Sequence, residues 1–88
     1  MQILPRISAV KSSALADAEI GRRVRIVSAE LEEDVAAWLA AVGLANGEEV
    51  VVLRRAALGG PLHVRLGNGG EFALAREVAA ALHVEVAP

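Results

Sequence analysis

Cysteine, threonine and tyrosine are absent from this sequence of 88 residues, and lysine occurs once. Without cysteine the chain has no disulfide, no thiolate nucleophile and no cysteine-ligated metal site. Beyond residue 13 the only serine is Ser28, which leaves almost no material for a serine nucleophile held by a histidine and an acid. The single lysine, Lys11, does not follow a glycine-rich loop, which excludes a P-loop. We therefore predict that the chain is not an enzyme.

Aromatic residues are equally scarce, because Trp38 and Phe72 are the only two, and the net charge is -2. General nucleic-acid binders carry a basic excess and aromatic stacking platforms, so we expect no nucleic-acid partner. No apolar run approaches the ~20 residues that cross a bilayer, and residues 1–6 are not followed by the apolar core of a secretory signal. We expect a soluble cytoplasmic protein without direct membrane insertion.

The sequence does contain a short helix, a tight turn and a strongly apolar strand within residues 35–55. Apolar residues at i, i+3, i+4 and i+7 predict an amphipathic helix facing the core; they are Val35, Trp38, Leu39 and Val42. Gly43 is predicted to end this helix in a left-handed conformation, and Asn46 with Gly47 to form a turn. Residues 50–53 are continuously apolar and mostly β-branched, which predicts a central strand.

Alternating or apolar segments predict four further strands, at residues 22–28, 62–66, 71–74 and 83–86. Their inward-facing residues include Phe72 and Val86. Residues 75–81 are predicted to form a short helix. Five short strands close most economically as a small β-barrel, since closure removes the exposed sheet edges. We expect one domain over residues 15–88, with Leu15 and Ile20 covering one barrel end, and a flexible extension over residues 1–14 containing a short strand at 7–10.

An ordered set of residues within this core pattern resembles the FeoA family, the small accessory proteins of bacterial ferrous iron uptake. The set reads Leu39-x-x-x-Gly43-Leu44-x-x-Gly47-x-x-Val50-x-Val52-x-Arg54-x-Ala56-x-Leu58-Gly59-x-Pro61-Leu62-x-Val64, and it continues into residues 72–79. The resemblance implies a mainly β fold, an SH3-like barrel of about five strands with an inserted α-helix. It also implies a partner, the FeoB-type membrane transporter of ferrous iron, which has a cytoplasmic GTPase domain.

The arginines of the predicted strands suggest where such a partner docks, because guanidinium groups suit carboxylates and partner surfaces. The predicted partner-binding residues lie at the end of the central strand and in the turn after it: Arg54, Arg55, Leu58, Gly59, Pro61 and Leu62. A solvated face balanced by neighbouring glutamates is the alternative. A second functional hypothesis is a free-standing, metal-responsive regulatory module, because domains resembling FeoA also form the C-terminal part of metal-dependent repressors.

Two histidines and one glutamate form the only candidate metal site: His63, His83 and Glu85. Positions 83 and 85 share a face of the last predicted strand, so both side chains could contact one ion. A closed zinc site takes four ligands, so zinc or ferrous iron would bind adventitiously or bridge a weak homodimer. Solvated strand histidines are the alternative, and we expect no required cofactor.

Overall fold

The computed structural model describes residues 13–88, so the strand predicted at residues 7–10 lies outside the described part. The elements follow one another as β1 (Ser13–Ala14), a 3₁₀ helix (Leu15–Asp17), β2 (Arg23–Ala29), α1 (Glu33–Val42), β3 (Glu49–Arg55), β4 (Leu62–Leu66), β5 (Glu71–Leu74), α2 (Arg76–Ala81) and β6 (Leu82–Val86). Five of the six strands correspond to the five predicted ones, and β1 adds a short edge strand to β6.

All strand pairs are antiparallel, and the strands lie in the order β1-β6-β2-β3-β4-β5. The apolar strand β3 has a neighbour on both sides, as its composition predicts. Among residues 13–88 the outer strands β1 and β5 do not pair with each other, so the sheet curls without closing. The predicted mainly β, SH3-like architecture with an inserted helix is confirmed, with the barrel in this loose form.

The end of α1 has the geometry that its glycine predicts. Gly43 adopts φ 112°, and its N–H donates to the Ala40 carbonyl, while the Leu44 N–H donates to the Leu39 carbonyl at 2.8 Å. These two bonds satisfy carbonyls that the helix itself cannot pair, and Leu44 is buried beside them. Gly47 likewise has φ 91°, and its N–H donates to Ile26 of β2, which joins the predicted turn to the sheet.

Trp38 is not part of the core, so this prediction was wrong. The buried stripe of α1 is centred on Leu39 and flanked by half-buried Val35 and Val42. Trp38 lies about 100° around the helix from Leu39, at the edge of that stripe, and its side chain is 59% exposed. A ten-residue helix covers a narrow strip of the sheet, and the indole extends past it.

Each of β2 and β3 contains a β-bulge, in which one strand has an extra residue that its partner does not match. In β3 the pairing passes from Val52 opposite Val64 to Arg54 opposite His63, so Leu53 is the extra residue. In β2 the extra residue is Val27, between Ile26 and Ser28. A bulge bends its strand and reverses which residues face inward beyond it, so it helps this sheet to curl.

The core lies inside the curl and consists of aliphatic side chains, supplied by every long strand, by α1 and by α2. Leu15 is fully buried, as the predicted cover of one barrel end, whereas Ile20 is 51% exposed. Phe72 is partly buried and packs against this core. Val86, predicted to face inward, is 59% exposed and does not belong to the core.

Candidate partner-binding surface

The bulge at Leu53 places the two adjacent arginines of β3 on opposite faces of the sheet. Arg54 lies opposite His63 and is exposed on the outer face. Arg55 lies opposite Leu62, which is fully buried, so Arg55 is on the inner face at the end of the strand. Regular alternation from Val52 would reverse these positions. Arg54 is therefore exposed, whereas Arg55 is half-buried.

Arg55 holds the 3₁₀ helix against the sheet. Its Nε–H donates to the carbonyl oxygen of Ala16 at 2.7 Å, and its Nη2 donates to the carbonyl of Ala18. Ala16 and Ala18 are buried, as is Leu15, the first residue of this helix. A buried carbonyl without a donor is costly, so a cation that serves two of them is part of the fold. Arg55 is occupied by this contact and does not belong to a free docking surface.

The turn between β3 and β4 places an apolar side chain in solvent. Leu58 is fully exposed and adopts φ 60°, the only positive φ among the non-glycine residues described. The turn is tightened by a bond from the Ala56 N–H to the Pro61 carbonyl at 3.0 Å. Gly60 fits beneath it because an added Cβ would lie 2.7 Å from the Ala56 Cβ. The closed turn thus fixes Leu58 in a conformation that bulky residues avoid.

The accessible part of the predicted surface is smaller than the predicted list. Leu62 is fully buried, and half-buried Arg55 faces inward with its guanidinium bonded to two carbonyls. Arg54, Leu58, Gly59 and Pro61 remain exposed. Arg54 and Pro61 line a shallow groove together with residues of the neighbouring strands, namely Leu62, His63, Phe72 and Ala73.

Arg76 at the start of α2 lies beside the same turn, which the sequence does not reveal. A Cβ added to Gly59 would lie 3.7 Å from the Arg76 Cδ, so the arginine stem passes over this glycine. The two residues are far apart in the chain, and no local pattern connects them. Residues 50–70 contain Arg54, Arg55 and Arg65 but no aspartate or glutamate. The β3–β4 hairpin therefore carries arginines and no acid of its own.

The other outer-face charges are mostly neutralised by one another. Arg23 and Arg25 both approach Glu49, at 3.3 Å and 4.0 Å, and Arg25 also approaches Glu85 at 3.9 Å. Across residues 13–88, the ion pairs do not include Arg54, Arg65 or Arg76. Two of these three arginines, Arg54 and Arg76, adjoin the turn that exposes Leu58.

The two histidines lie apart and each has a carboxylate neighbour. His63 Nε2 is 3.2 Å from Glu71 Oε1, across the β4–β5 pair. His83 Nε2 is 3.3 Å from Glu30 Oε2, too poorly aligned for a hydrogen bond. Strands β2 and β3 separate β4 from β6 in the sheet. Within residues 13–88 no three histidine or acidic side chains converge on one point, and Glu85 is directed to Arg25 instead.

None of the helices in the described part is both long enough and apolar enough to span a membrane. The grooves of the same part are open. Ser28 lies opposite His83 in the β2–β6 pair, and His83 is beside Glu30, but within residues 13–88 no hydrogen bond joins Ser28 to His83 Nε2. The feature that distinguishes this surface is therefore the exposed, conformationally restricted Leu58 with two unpaired arginines beside it.

Comparison with known proteins identifies the relatives of this fold. A family model described as the FeoA domain matches residues 14–86. The solution structure of FeoA from Chlorobium tepidum is 28% identical, covers 85% of this chain and 70% of its own, and superposes with a TM-score of 0.76. A FeoA-like protein from Clostridium acetobutylicum is 27% identical, with 89% and 90% coverage and a TM-score of 0.74.

A manganese-dependent transcriptional repressor shares the fold with a TM-score of 0.78. It is 16% identical to this chain, and the match covers 89% of this chain but only 43% of the repressor. No curated protein shows significant sequence similarity to the chain. The family match spans most of the sequence, whereas the repressor likeness concerns the fold alone.

Proposed function

Because the chain belongs to the FeoA family, we propose that it is a cytoplasmic accessory protein of ferrous iron uptake that acts by contact with the FeoB-type transporter. The proposed action is binding, which the exposed turn and the open groove beside it support. The contact surface is the turn that carries Leu58, together with Arg54, Gly59 and Pro61.

The exposed Leu58 is the observation that supports this surface most directly. A leucine gains nothing for the fold when its side chain is fully in solvent, and a positive φ costs it roughly 1 kcal/mol. A fold that keeps both features at one position has no internal reason to do so. Burial of this side chain against another protein would supply a reason, at about 25 cal/mol per Å² of apolar surface.

The test is an amide-shift titration of the isotope-labelled chain with the cytoplasmic region of the ferrous iron transporter from the same organism. We expect shifts concentrated in residues 54–61 and at the start of α2. Shifts confined to β6 and β1, at the opposite edge of the sheet, would contradict the proposed surface but would still show binding to the transporter. Absence of any shift at high concentration would contradict docking on the cytoplasmic region.

The likeness to the manganese-dependent repressor supports a second candidate function, a regulatory module acting on a protein other than the transporter. The same FeoA-type fold would then present its surface to a regulated domain. Metal-responsive binding would distinguish this candidate, because the chain should then bind zinc or ferrous iron stoichiometrically, with His63, His83 and Glu85 shared between two copies of the chain. Equilibrium dialysis against each metal measures this directly.

A further inference from the structure

We propose that the Leu58 turn recognises an apolar socket flanked by carboxylates on its partner, and that Arg76 of α2 is a second cation of this surface. The inference rests on the proposed function, because it specifies the chemistry of the site to which the turn would dock. It adds one residue that neither the family resemblance nor the predicted surface assigns to binding, and it specifies the charge of the partner.

The apolar half of the proposal concerns how Leu58 is presented. The side chain stands at the outermost point of a two-strand turn, with Gly59 after it at φ 74° and Gly60 closing against Ala56. These glycines cover none of its surface. The backbone beneath it is fixed by the bond between Ala56 and Pro61, so little freedom is lost when Leu58 enters a socket. The Leu58 side chain, called the apolar knob below, therefore fits a concave apolar site rather than a flat polar one.

The charged half concerns the two arginines beside that knob. Arg76 runs alongside Gly59, and Arg54 lies on the outer face at the base of the turn. Neither forms an ion pair within residues 13–88, although Arg23 and Arg25 of the same molecule do. Unpaired guanidinium groups around an apolar centre complement carboxylates at the rim of a socket. A basic or uncharged partner surface would leave both guanidinium groups without an anionic group to pair with.

Nearby acidic groups form no ion pair with Arg54 or Arg76 within residues 13–88. Glu71 is engaged with His63 at 3.2 Å, and Glu77 follows Arg76 on α2 as an exposed side chain. Asp17 lies in the 3₁₀ helix, whose neighbouring carbonyls are held by Arg55. The turn between β3 and β4 itself carries no acid. The positive character of the surface is thus retained in the free protein, where it would steer the turn toward an acidic site.

Four variants of the full chain test the proposal, with the cytoplasmic region of the transporter as the probe. R54E and R76E should each weaken binding by about tenfold or more, because each places a carboxylate against a carboxylate. R65E is the matched control: Arg65 is also exposed and forms no ion pair within residues 13–88, but it lies further along β4, away from the turn. We expect R65E to change affinity by less than about threefold. The affinity of the unmodified chain should fall as salt rises.

The fourth variant, L58G, separates binding from stability. Glycine accepts positive φ without strain, and the removed side chain is not buried, so the melting temperature should rise by roughly 2–6 °C. Binding to the same probe should weaken by about tenfold or more, because the apolar knob is gone. A variant that is more stable and yet binds less well cannot be explained by misfolding.

The possible results separate this inference from the proposed function on which it rests. Failure of the unmodified chain to bind the probe overturns the proposed function and the inference with it. Binding that R65E weakens as much as R54E and R76E do overturns the inference alone, since the attraction would then be diffuse. Unchanged binding by L58G, or by R76E, likewise overturns the inference while leaving the partnership in place.

Discussion

Arg55 shows how contacts within the fold can hold a side chain away from a predicted binding surface. Two hydrogen bonds to carbonyls of the 3₁₀ segment fix it on the inner face, while Arg54 next to it faces solvent. A double replacement of both arginines, which their adjacency suggests, would therefore mix a folding defect with a binding defect. The two positions have to be changed separately.

The residue-scale prediction follows from these bonds. Arg55→Met keeps much of the length of the side chain but leaves the carbonyls of Ala16 and Ala18 without their donor, which should lower the free energy of unfolding by about 2–3 kcal/mol. Arg54→Met is the control and should change it by less than about 0.5 kcal/mol. Urea denaturation followed by far-UV circular dichroism measures both values. Equal effects of the two substitutions would contradict the assigned role of Arg55.

The C-terminal end of α1 is determined by the local sequence. The packing contacts of the helix are not. Its final glycine and the following leucine specify the cap from the sequence alone. Which of Trp38 and Leu39 faces the core depends instead on where the helix rests on the sheet. Both residues fit an apolar stripe, and only the packing decides between them.

The element-scale prediction uses that pair. Leu39→Ala should lower the free energy of unfolding by about 2–5 kcal/mol, because Leu39 is the fully buried anchor of α1. Trp38→Ala should cost less than about 1 kcal/mol, although it removes a larger side chain, since most of the indole is in solvent. Thermal denaturation compares the two variants. In addition, Trp38, the only tryptophan, should be readily quenched by iodide in the folded protein.

Strand positions were predictable from the sequence to the extent that they depend on local patterns. Alternation of apolar and polar residues predicts β2 and β4, and a continuous apolar run predicts β3. These patterns follow from burial, because each buried face of a strand requires apolar side chains. The bulges at Val27 and Leu53 were not predictable, since an extra residue is defined only relative to the neighbouring strand. The inward position of Arg55 follows from the bulge at Leu53, and the contact between Arg76 and Gly59 is hidden from the sequence for the same non-local reason.

At the scale of the whole molecule, the sheet order governs what the histidines can do together. His63 on β4 and His83 on β6 are separated by two intervening strands, and each has its own carboxylate neighbour. One chain therefore does not present them to a single ion. Any zinc that both residues share would have to bridge two copies of the protein.

The corresponding prediction concerns metal addition and removal. Zinc at a stoichiometric ratio, or treatment with a chelator, should leave the melting temperature unchanged within about 1 °C, because an ion that stabilises the native state must bind it specifically. Differential scanning fluorimetry on the full chain checks this, with His63→Gln and His83→Gln as comparisons. A rise in melting temperature that is lost in either variant, accompanied by dimer formation in sedimentation, would contradict the expectation and establish a bridging site.

The bulge in β3 also has a consequence for how this hairpin can vary in length. Residues 50–55 of β3 lie opposite residues 62–66 of β4, six residues against five. The surplus position is half-buried Leu53, and its presence, more than its side chain, sets the bend of the strand. A library that randomises this position should tolerate many side chains, whereas one that deletes it would straighten the strand and aim the Leu58 turn elsewhere. The direction in which Leu58 is presented thus depends on the number of residues in β3 more than on their chemical type.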